Sequence, residues 1–286
     1  MTTFTPASEG EALAAVQWAI SEEAPLEIRG HGSKAAIGRP MQVAHTLDLS
    51  GLSGVTLYEP EELVLSAKAG TPVAEIEKLL AEHGQEFGFE PMDYGPLLGQ
   101  EPGRGTLGGL FAANLSGPRR VKMGAARDHV LGIRAVTGRG DLVKSGGRVV
   151  KNVTGYDLSK GLAGSWGTLA VATELTFKVL PRSETELTVA ILGLQEDQAA
   201  AAMALAMGSS AEVSGAAHLP ETVRRKFVDG AFPEPATVLR IDGFAPSVAA
   251  RFEQLKNLIG PGHKVERIER ETSRQLWREI RDVKPY

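Results

Sequence analysis

Residues 101–128 concentrate the residue types that bind anions. Five glycines lie within residues 103–117, and five lysines or arginines lie within residues 104–127, although the whole chain carries a net charge of −4. A glycine-rich backbone can turn several N–H groups toward one point, and nearby cations add attraction for an anion. The stretch therefore predicts a binding loop for a di-anion such as a pyrophosphate. A solvated, glycine-rich surface turn explains the same composition equally well.

The same stretch contains a glycine pattern that resembles a dinucleotide fingerprint but lacks its context. Residues 103–108 read G-x-G-x-x-G, and Asp128 follows at the distance expected for a ribose-binding acid. That fingerprint must follow a buried strand, and here Pro102 stands just before it, where a strand needs a backbone donor. The helix that it should open is interrupted at residues 114–118, which read NLSGP. We therefore expect no Rossmann fold.

A second short glycine turn lies nearer the N-terminus. Residues 26–29 alternate as a short strand and run directly into Gly30, His31, Gly32, Ser33 and Lys34. Such a turn supplies backbone donors, a hydroxyl and an amine, which together suit a second phosphate site. A plain hairpin turn remains the open alternative.

Length and composition limit the remaining classes. The 286 residues contain no cysteine, so this sequence supplies no thiolate nucleophile and no cysteine ligand for a metal or an iron–sulfur cluster. The first residues lack a basic segment followed by an apolar core, and no apolar run approaches the ~18 residues of a membrane span. We expect a cytoplasmic protein without a metal site or a nucleic-acid partner. Any association with the inner membrane would be peripheral and through partner chains.

Hydrophobic periodicity predicts mixed helices and strands in the first part of the chain. A capping box at Ser8 opens a helix that continues to about Glu23. Thr71 is expected to cap a second helix, with Pro72 at its first position. The main strands are predicted at residues 63–69, 130–137 and 169–180.

The pattern changes after residue 183. The predicted elements are strand 187–192, helix 195–207, strand 211–218, strand 236–243, helix 246–259 and strand 264–269. This β-α-β-β-α-β order is that of a ferredoxin-like domain. We therefore predict two domains, at residues 1–183 and 184–286.

The glycine-rich segments, taken in order, resemble the FAD-binding domain of the PCMH-type (vanillyl-alcohol-oxidase-like) flavoproteins. The segments that carry the resemblance are residues 28–34 (IRGHGSK), 69–72 (AGTP), 105–109 (GTLGG), 114–120 (NLSGPRR), 127–132 (RDHVLG), 151–157 (KNVTGYD) and 164–169 (GSWGTL). The resemblance covers residues 20–185. It implies an α+β fold, with a two-subdomain PCMH-type FAD-binding domain followed by a ferredoxin-like cap domain that is incomplete at its C-terminus.

The resemblance also implies which residues surround FAD. Those near the pyrophosphate would be Arg29, Gly30, His31, Gly32, Ser33, Lys34, Gly105, Thr106, Leu107, Gly108 and Gly109. Those at other polar parts of the cofactor would be Asn114, Ser116, Gly117, Arg127 and Asp128. Those on the flavin side would be Gly164, Gly167, Thr168 and Leu169. Trp166 departs from the family pattern, in which this position is often acidic.

Covalent attachment of the flavin is not expected. In this family the attachment uses a histidine late in the first glycine turn, where this chain has Ser33, and His31 falls earlier. No cysteine is available as an alternative attachment site. We therefore expect non-covalent FAD.

The activity implied by the resemblance is an FAD-dependent oxidation of a small 2-hydroxy acid, glycolate to glyoxylate, with electrons passed to a partner chain. The expected partners are a homologous FAD-binding subunit and an iron–sulfur subunit, because cysteine ligands must come from elsewhere. The alternative is a non-catalytic, FAD-carrying or structural subunit whose homologous partner performs the oxidation.

The second domain offers few groups for that chemistry. Oxidation of a 2-hydroxy acid needs a base at the hydroxyl and a cation at the carboxylate. His218 and His263 do not lie in a recognisable base motif, Tyr156 more simply packs as an aromatic, and the catalytic residues stay unassigned. The available cations are Arg224, Arg225, Arg240 and Arg251.

The last predicted helix, at residues 271–281, places three apolar side chains on one face. These are Leu276, Trp277 and Ile280. An exposed apolar stripe requires cover. We expect a partner chain to provide it, with packing on its own domain as the alternative.

Overall fold

The structure is a computed structural model that describes residues 2–148 and 156–284. Two compact units divide the chain. The first contains Met1–Ser116 and Ala125–Pro181, and the second contains Gly117–Gly124 and Arg182–Tyr286. A short internal loop therefore belongs with the C-terminal part of the sequence. The linear domains 1–183 and 184–286 stay a prediction.

The first unit combines short helices with three sheets. Its strands are β1 (Thr2–Phe4), β2 (Leu26–Arg29), β3 (His45–Asp48), β4 (Val55–Glu59), β5 (Val64–Lys68), β6 (Gln85–Glu86), β7 (Val130–Thr137), β8 (Leu142–Gly146), β9 (Ala170–Lys178) and β10 (Leu180–Pro181). The helices along the same part of the sequence are α1 (Glu9–Ser21), α2 (Val73–Glu82), α3 (Tyr94–Leu97), α4 (Leu107–Ala112), α5 (Arg120–Met123), α6 (Ala126–His129) and α7 (Leu158–Leu162), of which α5 lies in the second unit.

The sheets of the first unit differ in strand direction. β1, β3 and β2 form a parallel sheet in that order. The order β4-β5-β9-β7-β8 forms a five-stranded antiparallel sheet. β10 and β6 form a separate antiparallel pair. The first four residues of β5 are all buried, which explains its continuous apolar sequence and its place inside the large sheet.

The main core of the first unit lies between the large sheet and helices α2 and α4. Ile76 and Leu80, one helical turn apart on α2, are fully buried with Leu65 of β5 and Phe177 of β9. Leu110 of α4 joins the same cluster. These contacts fix the start of α4 against β5, and the candidate site is built on that start.

The predicted start of α2 needs a correction. Thr71 does not cap the helix; Pro72 occupies the N-cap position, without a side-chain cap. The Thr71 hydroxyl instead accepts from Gly54 N–H at 2.9 Å and donates to Lys68 O at 2.7 Å. Thr71 therefore closes the turn after β5, because these two backbone groups lie nearer than the helix donors.

The second unit has the ferredoxin-like arrangement. Its further elements are β11 (Thr185–Leu192), α8 (Glu196–Met207), β12 (Gly215–Leu219), β13 (Ala236–Gly243), α9 (Ala245–Ile259), β14 (Lys264–Glu269) and α10 (Arg270–Arg281). The antiparallel sheet has the order β12-β13-β11-β14. Helices α8 and α9 pack on one face through a single apolar cluster. The predicted α+β class, with its ferredoxin-like second part, is confirmed.

Helix α10 packs on the opposite side of that sheet. Leu276 is 0% and Trp277 2% exposed, in one cluster with Ala190 and Val238 of the sheet. The Trp277 indole N–H donates to Thr188 Oγ1 at 2.8 Å. The expectation that this stripe needs a partner chain is therefore wrong, because the sheet of its own unit covers it.

Candidate functional site

A pocket in the first unit lies where β2 ends, α4 begins and the chain turns into β9. Six of the residues predicted to bind the cofactor line it: Arg29, Gly30, Thr106, Gly108, Gly109 and Gly167. The other lining residues are mostly small or apolar: Ile28, Leu49, Ala69, Phe111, Ala112, Ile133, Leu162, Ser165, Trp166, Ala170 and Ala172. Segments far apart in the sequence thus meet at one place.

The close approach of β2 to α4 depends on Gly30. A Cβ atom at that position would lie 2.6 Å from Thr106 Oγ1 and 2.8 Å from its Cγ2. Thr106 is in turn fixed as the N-cap of α4, where its hydroxyl accepts from Gly109 N–H at 3.2 Å. A side chain at position 30 would therefore push the two glycine segments apart.

The first donors of α4 are used inside the protein. Leu107 N–H donates to Thr71 O at 2.9 Å, and Gly108 N–H donates to Ala69 O at 2.7 Å. With the Gly109 N–H held by Thr106, the start of this helix offers none of these three donors to a ligand. The glycine at 108 also has a packing reason, because a Cβ there would lie 2.9 Å from Ala69 Cβ and 3.0 Å from Ala69 O.

The turn after β2 is the better anion site. Gly32 has a positive φ of 72°, and the turn closes with Ala35 N–H donating to Gly32 O at 3.0 Å. In the part of the chain that the structure describes, the N–H groups of residues 31–34 make no hydrogen bond. The Arg104 guanidinium donates to His31 O at 3.1 Å and holds this turn near the central glycine loop.

Lys34 provides a cation next to these donors. Its Nζ lies 3.3 Å from Ser33 Oγ and 3.2 Å from the position that a Cβ on Gly109 would occupy. Burial lowers the pKa of Lys34 below its ordinary value, and the more distant Asp93 carboxylate opposes that shift. Within residues 2–148 and 156–284 no carboxylate forms an ion pair with it. A bound anion would supply the missing charge.

The open donors of residues 31–34 and the half-buried Lys34 ammonium fit a pyrophosphate. Arg29 lies at the rim, with its side chain 43% exposed and its Nε 3.5 Å from Asp48 Oδ2. Cation and donors both come from the turn after β2, and Arg104 of the central glycine loop binds that turn through His31 O. The chemistry of the first turn therefore suits the phosphates of a dinucleotide better than the start of α4 does.

Other predicted cofactor residues have roles within the protein. Asn114 has a positive φ of 50°, and its Oδ1 accepts from Arg127 N–H at 2.9 Å. Asp128 Oδ2 accepts from Ala125 N–H at 2.9 Å. These bonds shape the turn around α6. Ser116 and Gly117 are half-buried, and Gly117 lies in the second unit.

The turn at residues 164–169 forms the wall of the pocket next to β9. Gly164 and Gly167 have φ values of 82° and 77°, so both require a left-handed backbone. The Thr168 hydroxyl donates to Ser165 O at 2.7 Å, and Leu169 is 60% exposed. Neither side chain lines the pocket. Trp166, which belongs to the segment 164–169 expected on the flavin side, does line it.

Three described side chains considered for acid–base chemistry, those of Tyr156, His218 and His263, give no support to that role. Tyr156 is 93% exposed. Residues 151–155, which include Lys151, lie outside the described residues. His218 lies in β12, where burial lowers the pKa of its imidazole and Nδ1 is 3.0 Å from Thr237 Oγ1. His263 is exposed.

Three of the four candidate arginines of the second unit are engaged. Arg224 donates to the Glu221 carboxylate and to Phe232 O, and Arg251 donates to Asp242 O at 2.6 Å. Arg240 is 1% exposed and stacks over the Trp277 ring, with 4.7 Å between Cζ and the ring centroid. Their contacts are therefore structural, and a free carboxylate clamp does not follow from them.

A buried charge cluster of the second unit was missed by sequence reasoning. It contains Arg119 from the internal loop, Glu186 from β11, and Asp242 and Arg240 from β13. Arg119 Nη2 lies 3.4 Å from Glu186 Oε2, and Arg240 Nη1 lies 3.9 Å from the same oxygen. The sequence shows these charged residues but not their pairing, because Glu186, the partner of Arg119 that is nearest along the chain, lies 67 residues away.

Comparison with known proteins agrees with this geometry. A family described as "FAD binding domain" matches residues 2–146. The chain belongs to this FAD-binding domain family. It therefore binds FAD.

Two curated relatives are glycolate oxidase subunits. The chain is 45% identical to "Glycolate oxidase subunit GlcE" of Escherichia coli (strain K12) over 174 residues, covering 61% of this chain and 47% of that protein. It is 28% identical to "Glycolate oxidase subunit GlcD" of Bacillus subtilis (strain 168) over 247 residues, covering 85% and 48%. The likeness to the first of these was predicted from the sequence segments and is confirmed. The chain spans about half the length of the curated relatives it matches.

A solved structure supports the fold alone. An alkyldihydroxyacetonephosphate synthase superposes with a TM-score of 0.73 at 19% identity, covering 97% of this chain and 57% of that one. No helix within the described ranges, 2–148 and 156–284, is long and apolar enough to cross a membrane.

Proposed function

We propose that this chain is the FAD-binding component of an oxidoreductase complex that acts on a small 2-hydroxy acid, with glycolate as substrate and glyoxylate as product. The observation that carries the proposal is a largely apolar pocket, lined by Gly30 and Gly109, beside a turn with open N–H donors and the Lys34 ammonium, whose Nζ lies 3.2 Å from the Cβ position of Gly109. The names of the two glycolate oxidase subunits supply the substrate class.

The residues of the pocket would bind and orient the cofactor. When bound, FAD supplies the hydride acceptor, while the protein fixes its position and tunes its ring. The donors of residues 31–34 and the Lys34 ammonium would hold the phosphates. Gly30 and Thr106 would act indirectly, since their close packing keeps the two glycine segments in contact, and Gly108 would do so by letting α4 pack on Ala69.

Electrons would leave the flavin through partner chains. An iron–sulfur relay requires cysteine ligands, and these 286 residues contain none. We therefore infer an iron–sulfur subunit and a homologous FAD-binding subunit as partners. The proposed location is the cytoplasm, with membrane association only through the complex.

A second candidate function is FAD binding without oxidation of substrate by this chain. The arginines of the second unit favour it, because Arg224, Arg240 and Arg251 are engaged in internal bonds. Neither His218 nor His263 forms an acid–base pair with another described residue. A base for the substrate hydroxyl is therefore not evident in the described part of the chain. In this case a homologous partner would perform the oxidation.

The experiment is anaerobic mixing of the FAD-loaded chain with excess glycolate or D-lactate while the visible absorbance of the flavin is followed. Dithionite reduction provides the control that the flavin is accessible. We expect no rapid bleaching of the isolated chain and rapid bleaching of the complex with its partner chains. Bleaching of the isolated chain would assign the chemistry to this subunit. A complex that does not bleach with either acid would contradict the proposed substrate class.

A further inference from the structure

Trp166 has an unusual backbone conformation for its type. Its φ is +54°, and it is the one aromatic residue with a positive φ in the described part of the chain. A bulky side chain is strained in this left-handed region, whereas glycine is not. The nearby Gly164 and Gly167 adopt the same region without that cost. The cost of this backbone conformation at position 166 is therefore explained only if the tryptophan side chain makes a compensating contact.

Core packing does not provide that reason. The side chain is 49% exposed, although tryptophan is normally well buried. The backbone is nevertheless held in place, because Trp166 N–H donates to Ala112 O at 2.9 Å and Thr168 N–H donates to Ser165 O at 3.0 Å. The strain is thus maintained by the surrounding turn, as is typical of residues that contact ligands.

The surroundings of the indole suit a flat ring. Trp166 lines the same pocket as Gly30, Gly108 and Gly109, and the other aromatic residue in its lining, Phe111, is only 2% exposed. Glycine and alanine residues form much of the pocket wall that the indole shares. The Lys34 ammonium lies near Gly109, on the side where we expect the phosphates. A planar group attached to a pyrophosphate would satisfy both features at once.

We propose that Trp166 contacts the bound cofactor directly, by stacking its indole on one of the two planar rings of FAD, the adenine or the isoalloxazine. This inference rests on FAD binding in the pocket of the first unit. It adds a side-chain contact at a position where the chain departs from the family pattern, and it accounts for the strained backbone and the half-exposed indole.

The test measures FAD binding to apo-protein by titration calorimetry for three variants. Trp166→Gly removes the ring and also relieves the backbone strain, so the fold should be at least as stable as in the wild type. Trp166→Phe keeps a ring. Leu142→Ala is the control, since Leu142 is an exposed apolar residue of β8 in the first unit, was not predicted to bind the cofactor and does not line the pocket. Circular dichroism and thermal unfolding check that each variant is folded.

Stacking of a base on an aromatic side chain is worth enough that Trp166→Gly should weaken FAD binding roughly 10- to 100-fold. Trp166→Phe should recover most of the loss, and Leu142→Ala should bind as the wild type does. Parallel titrations with ADP and FMN identify the ring: a matching loss for ADP assigns the adenine, and a matching loss for FMN assigns the isoalloxazine.

The inference is overturned if Trp166→Gly binds FAD within about twofold of wild type, or if Trp166→Phe binds as weakly as Trp166→Gly. If the wild-type protein bound no FAD, that result would contradict the FAD site itself and not only the stacking contact. Failure of the stacking contact and failure of the cofactor assignment are therefore distinguishable.

Discussion

Arg119 Nε lies 3.1 Å from Asp242 Oδ2, with both side chains almost fully buried. Arg119 belongs to the internal loop Gly117–Gly124, and Asp242 belongs to β13 of the ferredoxin-like sheet. Ser214 Oγ donates to the same carboxylate oxygen at 3.0 Å, and Ser273 Oγ donates to Glu186 Oε1 at 2.8 Å. The loop is thus fastened to the second unit by a hydrogen-bonded ionic cluster.

Replacement of Arg119 by methionine should destabilise the second unit by about 3–5 kcal/mol, because two buried carboxylates lose a cation while remaining out of water. Chemical unfolding followed by Trp277 fluorescence measures the change. Lys122→Met is the control in the same loop. Its partner Glu212 has a side chain that is 67% exposed, and exposed pairs contribute at most about 1 kcal/mol. Equal effects of the two substitutions would contradict this account.

Gly108→Ala tests the packing of α4 against β5. The new Cβ would lie 3.0 Å from Ala69 O and 2.9 Å from Ala69 Cβ. We expect a loss of stability of about 1–3 kcal/mol from overpacking, with FAD content falling in proportion. Gly138→Ala, in the turn after β7, meets nothing within 4 Å and should leave the stability and the FAD content near those of the wild type. Thermal unfolding and bound-flavin absorbance measure both quantities.

Lys34→Met should weaken FAD binding roughly 10- to 100-fold, since a charged hydrogen bond to phosphate contributes about 1.5–3 kcal/mol. Burial lowers the pKa of Lys34 in the free protein, and a bound pyrophosphate would raise it again. Wild-type affinity should therefore be highest below the lowered pKa and should decrease as the pH rises through it.

The variant should bind weakly and lose this pH dependence. Titrations between neutral pH and about pH 10 compare the two proteins. Lys78→Met, at an exposed position on α2, is the charge-matched control and should behave as the wild type does. A wild-type affinity that stays constant across this range would argue against contact between Lys34 and the phosphates.

The flavin should be released completely on acid denaturation. Ser33 stands where the covalent members of the family have a histidine, and its side chain is buried beside Lys34. A hydroxyl at that position makes no covalent bond to the flavin ring. Absorbance of the supernatant after precipitation should account for all of the flavin, and yellow colour retained in the washed pellet would refute the prediction.

Local pattern was sufficient for the elements that depend on local contacts. The strand at residues 130–137 and the strands at 236–243 and 264–269 were predicted with the bounds observed, because their apolar alternation and flanking turns are written in neighbouring residues. The ferredoxin-like order followed from the same information.

Pairings between distant segments were not predictable in this way. Sequence alone suggested that Gly108 approaches a phosphate, whereas its close neighbour is the backbone of Ala69. The apolar face of α10 could be recognised, but not the sheet that covers it. The sequence also could not show that Trp166 lines one pocket with Gly30 and Gly109, or that Lys34 Nζ lies 3.2 Å from the Cβ position of Gly109.

The loop Gly117–Gly124 also affects the order in which the protein can mature on the ribosome. Arg119 leaves the peptidyl-transferase centre 67 residues before Glu186, its first ionic partner in the second unit. At about 5–20 residues per second, that delay is roughly 3–13 s. During this interval the first unit has most of its sequence, yet the loop that interrupts it has no ionic partner. The ion pairs of this loop therefore cannot form until the C-terminal sheet has been synthesised.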